Sequence, residues 1–442
     1  MTGPNRQPAV RFIFITLLLD VIGFGLLIPV APRLVQELQG PGASPETAAW
    51  PVTMLSVTFA TMMFLFAPIL GSLSDHFGRR PVLLISLLGS GIDYFAQALA
   101  PGLGLLFLTR ALNGVSGSSM TVCNAYIADV TPPEKRAAAF GMIGAAFGVG
   151  FVVGPLMGGG LFALANWCGQ HADEAPAWAS GIAWFLGDHA VRVPFYAAGL
   201  LCIANWAYGW FVLPESLAKE NRRPFKLARS HPIAAMTHIR KYPVVLGLAL
   251  ALFLLNVAQF GLHITWALYT QHRYNWSPTE IGFSLFLVGA GAAVVQGGLA
   301  RKIIPALGER RSVLVGCAIG VAAFAAYGLA TQGWMIYVMV LIASLGGIAG
   351  PACQSIITKA VPADRQGETQ GAITSLNSVA AIAGPFVGGG VFSYFISDRA
   401  PMHLPGAPYF VGAILTAAGM GLAWWAMRGR RMSEDSGARG AS

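Results

Sequence analysis

Charged residues are scarce in this sequence. Asp, Glu, Lys and Arg make up 11% of its 442 residues, whereas a soluble globular chain carries about 25%. Hydrophobic residues make up 55%, and the mean hydropathy is +0.61. This composition excludes an ordinary water-soluble domain and predicts a protein solvated by lipid. The net charge of +9 does not indicate nucleic-acid binding, because the basic residues form short clusters between apolar runs.

Cysteine outside the apolar runs is almost absent. Four of the five cysteines (Cys123, Cys202, Cys317 and Cys353) lie in apolar runs, and only Cys168 lies in an expected loop. A disulfide on an outer face would need a second loop cysteine. We therefore expect no disulfide.

Long apolar runs occupy most of the chain. Twelve of them are long enough to cross a hydrocarbon core of ~30 Å at ~1.5 Å per residue. Only helices and closed barrels satisfy the backbone within lipid, and runs of this length indicate helices. The twelve predicted spans are residues 10–38, 47–70, 81–101, 103–128, 137–165, 190–213, 243–270, 279–300, 311–330, 332–358, 368–396 and 406–428.

The distribution of Lys and Arg predicts the orientation of these spans. With the N-terminus assigned to the cytoplasm, 23 of the 28 basic residues lie on the inner side, and Arg110 lies within a span. The four on the outer side are Arg33, Arg192, Arg273 and Arg399. This asymmetry predicts a multi-pass inner-membrane protein with both termini in the cytoplasm.

The two halves of the sequence repeat each other at an offset of 230 residues. GPLMGGGLF at 154–162 recurs as GPFVGGGVF at 384–392. The same offset relates Gly78 to Gly308, Pro132 to Pro362, Glu134 to Asp364 and Gly141 to Gly371. One offset at several separated places predicts two homologous bundles of six helices.

The repeat also predicts the domain boundaries. The N-terminal bundle covers residues 1–213, and the C-terminal bundle covers residues 243–442 with a short basic tail. Residues 214–242 between them are polar, basic and proline-bearing. They are expected to form a cytoplasmic linker on the membrane surface.

The charged stretch GSLSDHFGRR, residues 71–80, separates the second and third spans. It resembles the loop between helices 2 and 3 of the major facilitator superfamily, whose pattern is G-x-L-x-D-x-x-G-R-[RK]. An ordinary basic turn is the alternative, but it leaves the repeat unexplained. The resemblance implies an all-α membrane protein with twelve transmembrane helices in two pseudo-symmetric six-helix bundles, and a substrate path between them. The matching residues are Gly71, Leu73, Asp75, Gly78, Arg79 and Arg80.

Ionisable residues deep within the spans are few, which makes each a candidate functional residue. They are Asp20 in the first span, Asp93 in the third and Arg110 in the fourth. Arginine stays charged at any working pH, so Arg110 needs a partner or water. A carboxylate alone in lipid favours its proton, whereas one beside arginine favours its charge. We hypothesise that Asp20 and Asp93 carry protons and that Arg110 biases their release. The alternative is a static ion pair joining the third and fourth spans.

A second charged group lies at the predicted cytoplasmic ends of the spans. Such charges can pair while the inner mouth is shut and separate when it opens, which predicts a gating role. Pro305 replaces Asp75 in the second-half copy, so the predicted gate is asymmetric. The gating residues are Asp75, Arg79, Arg80, Asp129 and Arg136.

The C-terminal half contributes no acid deep within a span, so its candidate substrate-binding residues are neutral. Gln259, His263 and Trp266 recur at spacings of four and three and are expected to share a helix face. A cap or packing role is the alternative for His263. The full candidate set is Asn256, Gln259, His263 and Trp266 in the seventh span, Gln296 in the eighth, Gln354 in the tenth and Asn377 in the eleventh.

Residues 166–189 break the symmetry between the halves. This predicted outer loop is longer than its second-half counterpart and contains histidines, acids and several tryptophans, including His171, Asp173 and Trp178. Histidine and carboxylate groups at close range could bind a metal. The preferred interpretation is a tryptophan-rich interfacial loop, with no metal site.

Several stretches resemble one branch of the superfamily, the tetracycline-resistance exporters: LLLDVIGFGLLIPVAPRL from residue 17, GSLSDHFGRRPVLLISLLGSGIDY from residue 71 and TWALYTQHRYNWSPTEIGFSL from residue 265. In that family tetracycline leaves as a complex with a divalent cation in exchange for a proton. The resemblance implies that Asp20, Asp93 and Arg110 correspond to the intramembrane charges. The family holds an acid in helix 9, whereas this sequence has none and Gly320 stands near its place.

The sequence therefore predicts a proton-coupled exporter of amphipathic small molecules that works by alternating access, with tetracycline-type drugs as leading candidates. A proton-coupled importer of a metabolite is the main alternative, and a receptor or a membrane enzyme is the alternative from another class. No HExxH, GxSxG or phosphate loop is present, so we expect no enzyme. The expected partners are the lipid bilayer, the substrate and protons, with no nucleic acid. No cofactor is expected beyond the proton gradient and a divalent cation bound to substrate.

Overall fold

The computed structural model describes residues 6–117, 119–131, 136–222, 242–362 and 366–439. These residues form helices and connecting segments, and no strand occurs among them. The α-helices of the first half are α1 (Arg6–Leu27), α2 (Ala31–Gln39), α3 (Pro45–Phe77), α4 (Arg79–Ala98), α5 (Leu103–Gly117), α6 (Ser119–Val130), α7 (Arg136–Gln170), α8 (Ala177–Asp188) and α9 (Val193–Val212). Those of the second half are α10 (Pro243–Tyr274), α11 (Pro278–Val294), α12 (Ala300–Leu307), α13 (Glu309–Leu329), α14 (Gly333–Ser344), α15 (Ala349–Lys359), α16 (Gln366–Phe395) and α17 (Ala407–Arg439).

The helices match the predicted spans closely. Within the described residues, 10 helices are long and apolar enough to cross a membrane, or up to 11 when the bent pair α1 and α2 counts as one span. The fourth predicted span falls on α5 and α6, which flank residue 118 and have 15 and 12 residues. The fold is thus an all-α multi-pass bundle, and the count of twelve spans stays a prediction.

Contacts divide the chain into two compact units. The first unit contains residues 1–230 and 275–289, and the second contains residues 231–274 and 290–442. The start of α11 belongs with the first unit because it packs on α7, where Thr279 donates a hydrogen bond to the Gly159 carbonyl oxygen at 3.1 Å. The predicted boundaries at 213 and 243 stay a prediction, since residues 223–241 of the linker lie outside the described residues.

Glycine contacts explain the repeated GPxxGGG sequence. In the first unit, a methyl group added at Gly158 of α7 would overlap the Leu26 carbonyl oxygen of α1. In the second unit, a methyl group on Gly388 of α16 would lie 2.6 Å from the Cα atom of Gly261 in α10. Each unit therefore joins its first and fifth spans by a crossing that only small residues permit.

The segment at residues 166–189 differs from the prediction of a loop. α7 continues to Gln170, a short 3₁₀ turn covers Ala172–Glu174, and α8 follows. Gly169 and Gly187 let the backbones of α7 and α8 touch, which accounts for a helical hairpin in this glycine-bearing sequence. Cys168 consequently lies in α7 and not in a loop. All five cysteines are free, and Cys168 alone is not buried.

Candidate transport site

Asp93 lies in α4 and is buried, with 5% of its surface exposed. Its Oδ2 atom accepts two hydrogen bonds of 2.5 Å, one from Gln97 Nε2 one turn later and one from Asn113 Nδ2 in α5. Its Oδ1 atom is buried without a hydrogen-bond partner. Two amide donors thus hold one oxygen of the carboxyl group and leave the other buried and unpaired.

Arg110 and Asp20 are the other predicted charges in the first unit. Arg110, in α5, attracts the Asp93 carboxylate electrostatically, but no ion pair within 4.0 Å joins them in the described structure. The static ion pair weighed as an alternative is therefore not formed here. Asp20, in α1, lies near enough to Tyr94 of α4 and Cys202 of α9 for its charge to act on both. The three charges share one unit, and Asp93 is held by two side-chain hydrogen bonds.

At one end of the first unit, Arg79 joins three elements. Its guanidinium group lies 2.7 Å from the Asp75 carboxylate of α3 and 3.1 Å from the Asp129 carboxylate of α6. It also donates a 2.6 Å hydrogen bond to the Ser74 hydroxyl group. The structure thus brings three of the predicted gating residues into one cluster, which we call the Arg79 clamp.

Glu215, which the sequence analysis did not identify, holds the start of α4 beside this clamp. Its carboxylate accepts hydrogen bonds from the Arg79 and Arg80 backbone N–H groups at 2.8 and 3.3 Å. Carboxylates favour helix N-termini because the N–H groups there lack partners and the helix dipole is positive. Gly78, which precedes α4, has φ +105 and no side chain that could cap the helix. The cap therefore comes from Glu215, a residue that is distant in sequence and is brought to this helix end by the fold.

Arg80 and Arg136 complete the predicted gating set. Arg80 donates a 2.7 Å hydrogen bond to the Trp210 carbonyl oxygen and lies over the Trp210 ring. It therefore anchors α9 and does not join the Arg79 clamp. α7 begins at Arg136, but the position of this side chain lies outside the described residues.

The second unit contains a clamp at the equivalent place with the charges exchanged. The 230-residue offset maps Arg79 onto Glu309 and Asp129 onto Lys359. Lys359 Nζ lies 2.7 Å from the Glu309 carboxylate, joining α15 to α13. The Ser355 hydroxyl group donates to the same carboxylate oxygen. Both units thus tie equivalent helices by an ion pair of opposite polarity.

Among the predicted substrate-binding residues, two pairs meet in the second unit. Asn256 Nδ2 donates a 2.8 Å hydrogen bond to Asn377 Oδ1, which links α10 to α16. Gln259 Nε2 and His263 Nε2 lie 3.0 Å apart on the exposed face of α10. Gln296 is exposed in a π-helical turn (Val295–Leu299), a deformation that often marks functional sites. Gln354 is half-buried in α15.

Trp266 departs from the predicted shared face. Its side chain is 1% exposed and packs edge-on against Tyr327 and Tyr409 at ring distances of 5.3 and 6.5 Å. Helical spacing predicts that Trp266 lies near His263, but its side chain is buried in a cluster of aromatic residues. It contributes packing and not a surface that lines open space.

The interpretation of residues 166–189 as a metal site finds no matching geometry. No group of three or more His, Cys, Asp or Glu residues that could hold a metal occurs in the described part of the chain. His171 and His189 instead stack on Trp167 and Phe185, four residues earlier in each case. Their Nδ1 atoms lie 3.0 Å from the carbonyl oxygens of those same aromatic residues.

A multi-pass helical bundle with a repeated sequence, buried charges and charged clamps is typical of secondary membrane transporters. The chain belongs to the major facilitator superfamily, whose family profile it matches over residues 13–385. It is therefore a transporter embedded in the lipid bilayer that acts on a small-molecule substrate, and it is not an enzyme.

Similar proteins sharpen this assignment. The tetracycline resistance protein of class C from Escherichia coli is 33% identical over 400 residues, which cover 90% of this chain and 92% of that protein. The class D protein from Salmonella ordonez is 34% identical over 392 residues, covering 88% and 90%. The crystal structure of a bacterial homologue of the human lysosomal transporter Spinster, in an inward-facing and occupied conformation, matches with a TM-score of 0.73 and 17% identity, covering 97% of this chain and 98% of that one.

Proposed function

We propose that this chain is a proton-coupled exporter of amphipathic small molecules, with tetracycline-type drugs as the leading substrates. The observation that carries the proposal is the 33–34% identity to tetracycline resistance proteins over about nine-tenths of the chain. The proposal includes an inner-membrane location with both termini in the cytoplasm, which the Lys and Arg distribution supports. Export proceeds by alternating access.

Asp93 is the central proton carrier in this proposal. The proton binds at the unpaired Oδ1 atom, while Gln97 and Asn113 keep the carboxyl group oriented through Oδ2. Arg110 attracts the ionised form and so favours proton release. Asp20, which lies near the same helices, carries a second proton. Because no direct ion pair fixes Asp93 to Arg110, a change in their separation is enough to change the proton occupancy.

The second unit supplies neutral groups for the substrate. Asn256 with Asn377, and Gln259 with His263, offer donors and acceptors in place of a carboxylate. α13 carries no acid after Glu309, its first residue, and a methyl group added at Gly320 would lie 3.3 Å from the Thr416 methyl group. These neutral groups are compatible with amphipathic substrates, which in this proposal include tetracycline carried as a complex with a divalent cation.

Drug susceptibility tests the proposal. A host that expresses the chain is expected to resist tetracyclines, with unrelated antibiotics serving as the comparison panel. Asp93→Asn, which keeps the size of the side chain and removes its exchangeable charge, is expected to abolish the resistance at equal protein abundance. Resistance that survives in the Asp20→Asn, Asp93→Asn double variant rejects the proton role.

Vesicle transport separates export from the rival activity. In inverted vesicles acidified inside, an exporter that exchanges protons accumulates the drug. A proton-coupled importer of a metabolite shows the reversed dependence on the pH gradient and identifies the alternative.

A further inference from the structure

Two histidines that are 131 residues apart in sequence meet in the second unit. His272 lies in the last turn of α10, and His403 lies in the segment between α16 and α17. Their Nε2 atoms are 3.2 Å apart, and their ring centroids are 5.3 Å apart. His403 is exposed and His272 is half-buried, so ions in solution have access to the pair.

The Nε2–Nε2 distance of 3.2 Å is close to the distance between two nitrogen ligands of one metal ion. Zinc binds histidine nitrogen at ~2.0–2.1 Å, so two nitrogens at a tetrahedral angle lie about 3.3 Å apart. We propose that His272 and His403 form a bidentate site for a transition-metal cation of the Zn²⁺, Ni²⁺ and Cu²⁺ class. Both imidazoles bind as neutral rings through Nε2 with their protons on Nδ1, so the cation replaces the proton of the Nε2–Nε2 hydrogen bond, and water fills the remaining coordination positions.

The surrounding contacts hold the backbone at both histidines in place without a metal. The end of α10 is fixed by the Tyr274 hydroxyl group, which donates a 2.9 Å hydrogen bond to the Ala330 carbonyl oxygen. The segment that carries His403 is fixed by the Leu404 N–H group, which donates to the Phe395 carbonyl oxygen at 3.1 Å. The Phe392 ring packs edge-on against His272. Because the ligands are preorganised, a cation binds without ordering either segment.

The chemistry of the pair selects the cation. Two imidazoles favour borderline transition metals, whereas Mg²⁺ and Ca²⁺ prefer carboxylate and carbonyl oxygens. This selectivity separates the site from any divalent cation that travels with substrate. A bound cation ties α10 to the segment between α16 and α17, and so it stabilises the second unit. The inference does not depend on the substrate or on proton coupling.

Thermal unfolding of the full chain tests the site. The protein is purified in detergent without a polyhistidine tag, and its unfolding midpoint is followed with ZnCl₂, NiCl₂, CuCl₂ or MgCl₂. We expect the transition metals to raise the midpoint, EDTA to reverse the rise and Mg²⁺ to have no effect, because binding to the folded state alone stabilises it. His272→Ala and His403→Ala should each weaken the apparent affinity at least ~10-fold, the scale of losing even an outer partner of a metal ligand.

His189→Ala is the matched control, because His189 also lies at a helix end but its ring stacks on Phe185 four residues earlier and not on a second histidine. It should keep the full zinc response. A rise that persists in both pair variants, or that Mg²⁺ produces equally, overturns the proposal, as does the absence of any rise. Electron paramagnetic resonance of the Cu²⁺-loaded wild type gives a second measurement that needs no variant. Two coordinated imidazole nitrogens support the site, and a spectrum without nitrogen coordination contradicts it.

Discussion

At the scale of single residues, the two clamps differ mainly in burial. The Arg79 side chain is 10% exposed, whereas the Lys359 side chain is 64% exposed. A charged group left buried without its partner costs about 1–3 kcal/mol or more, whereas an exposed ion pair contributes about 0.2–1 kcal/mol. The two ion pairs, at equivalent positions of the repeat, therefore contribute unequally to the free energy of unfolding.

Neutralising one acid of the first clamp should reveal this difference. Asp129→Asn is expected to lower the thermal unfolding midpoint clearly, because it removes a carboxylate that Arg79 contacts at 3.1 Å. Lys359→Gln, its counterpart in the repeat, should change the midpoint by one or two degrees at most. Equal effects of the two substitutions would contradict the assigned difference in burial.

Exchanging the charges of the second clamp tests whether polarity matters. Glu309→Lys places two cations together and should destabilise the contact between α13 and α15. Adding Lys359→Glu restores opposite charges, so the double variant should recover most of the lost stability in a double-mutant cycle. If the double variant loses as much stability as the two single variants lose together, the two side chains do not interact.

Sequence reasoning identified most charged residues of the site but not all of their partners. Asp93 and Arg110 stood out because charge is rare within apolar runs, and Asp75, Arg79 and Asp129 stood out as charges at the ends of the spans. Glu215 could not be found in this way, since it lies 136 residues from the helix that it caps. The Trp266 orientation was missed because helical spacing fixes which residues share a face, but not what the face packs against.

At the scale of helices, the crossing of α1 and α7 depends on the absence of side chains. A methyl group at Gly158 would overlap the Leu26 carbonyl oxygen, whereas nothing lies within 4 Å of a methyl group at Gly160. Overpacking a close contact costs about 1–3 kcal/mol. Gly158 and Gly160 lie within one helical turn, but only Gly160 has room for a side chain.

The two glycines form a matched pair for experiment. Gly158→Ala should lower the unfolding midpoint by several degrees, because α1 and α7 must separate to make room. Gly160→Ala should leave it unchanged or raise it slightly, since alanine favours helix more than glycine does. Similar midpoints for both variants would show that the crossing is not as close as described.

Helix positions were more predictable than the hairpin at residues 166–189. The spans followed from length and hydropathy alone, because lipid forces the backbone to satisfy its own hydrogen bonds. The hairpin of α7 and α8 depends on the Gly169 and Gly187 contact, which a local pattern of tryptophan, histidine and acid does not reveal. The meeting of His272 with His403 is hidden for the same reason.

At the scale of the whole molecule, Cys168 offers a natural test of orientation. The other four cysteines are buried, whereas Cys168 is partly exposed near the end of α7. A maleimide that cannot cross membranes should label intact cells expressing the wild type, and labelling should be lost in Cys168→Ser. Lys219→Cys in that background is the inner-side control and should react only after the cells are opened. The reverse pattern would invert the predicted topology.

Exchange of substrate for protons is the central claim for the whole transporter. It is tested most directly in proteoliposomes that contain a pH-sensitive dye, where an imposed tetracycline gradient is the only driving force. The wild type should move protons against the direction of the drug, and Asp93→Asn should move none. Drug movement that is equal in both proteins and unaccompanied by protons would contradict the account.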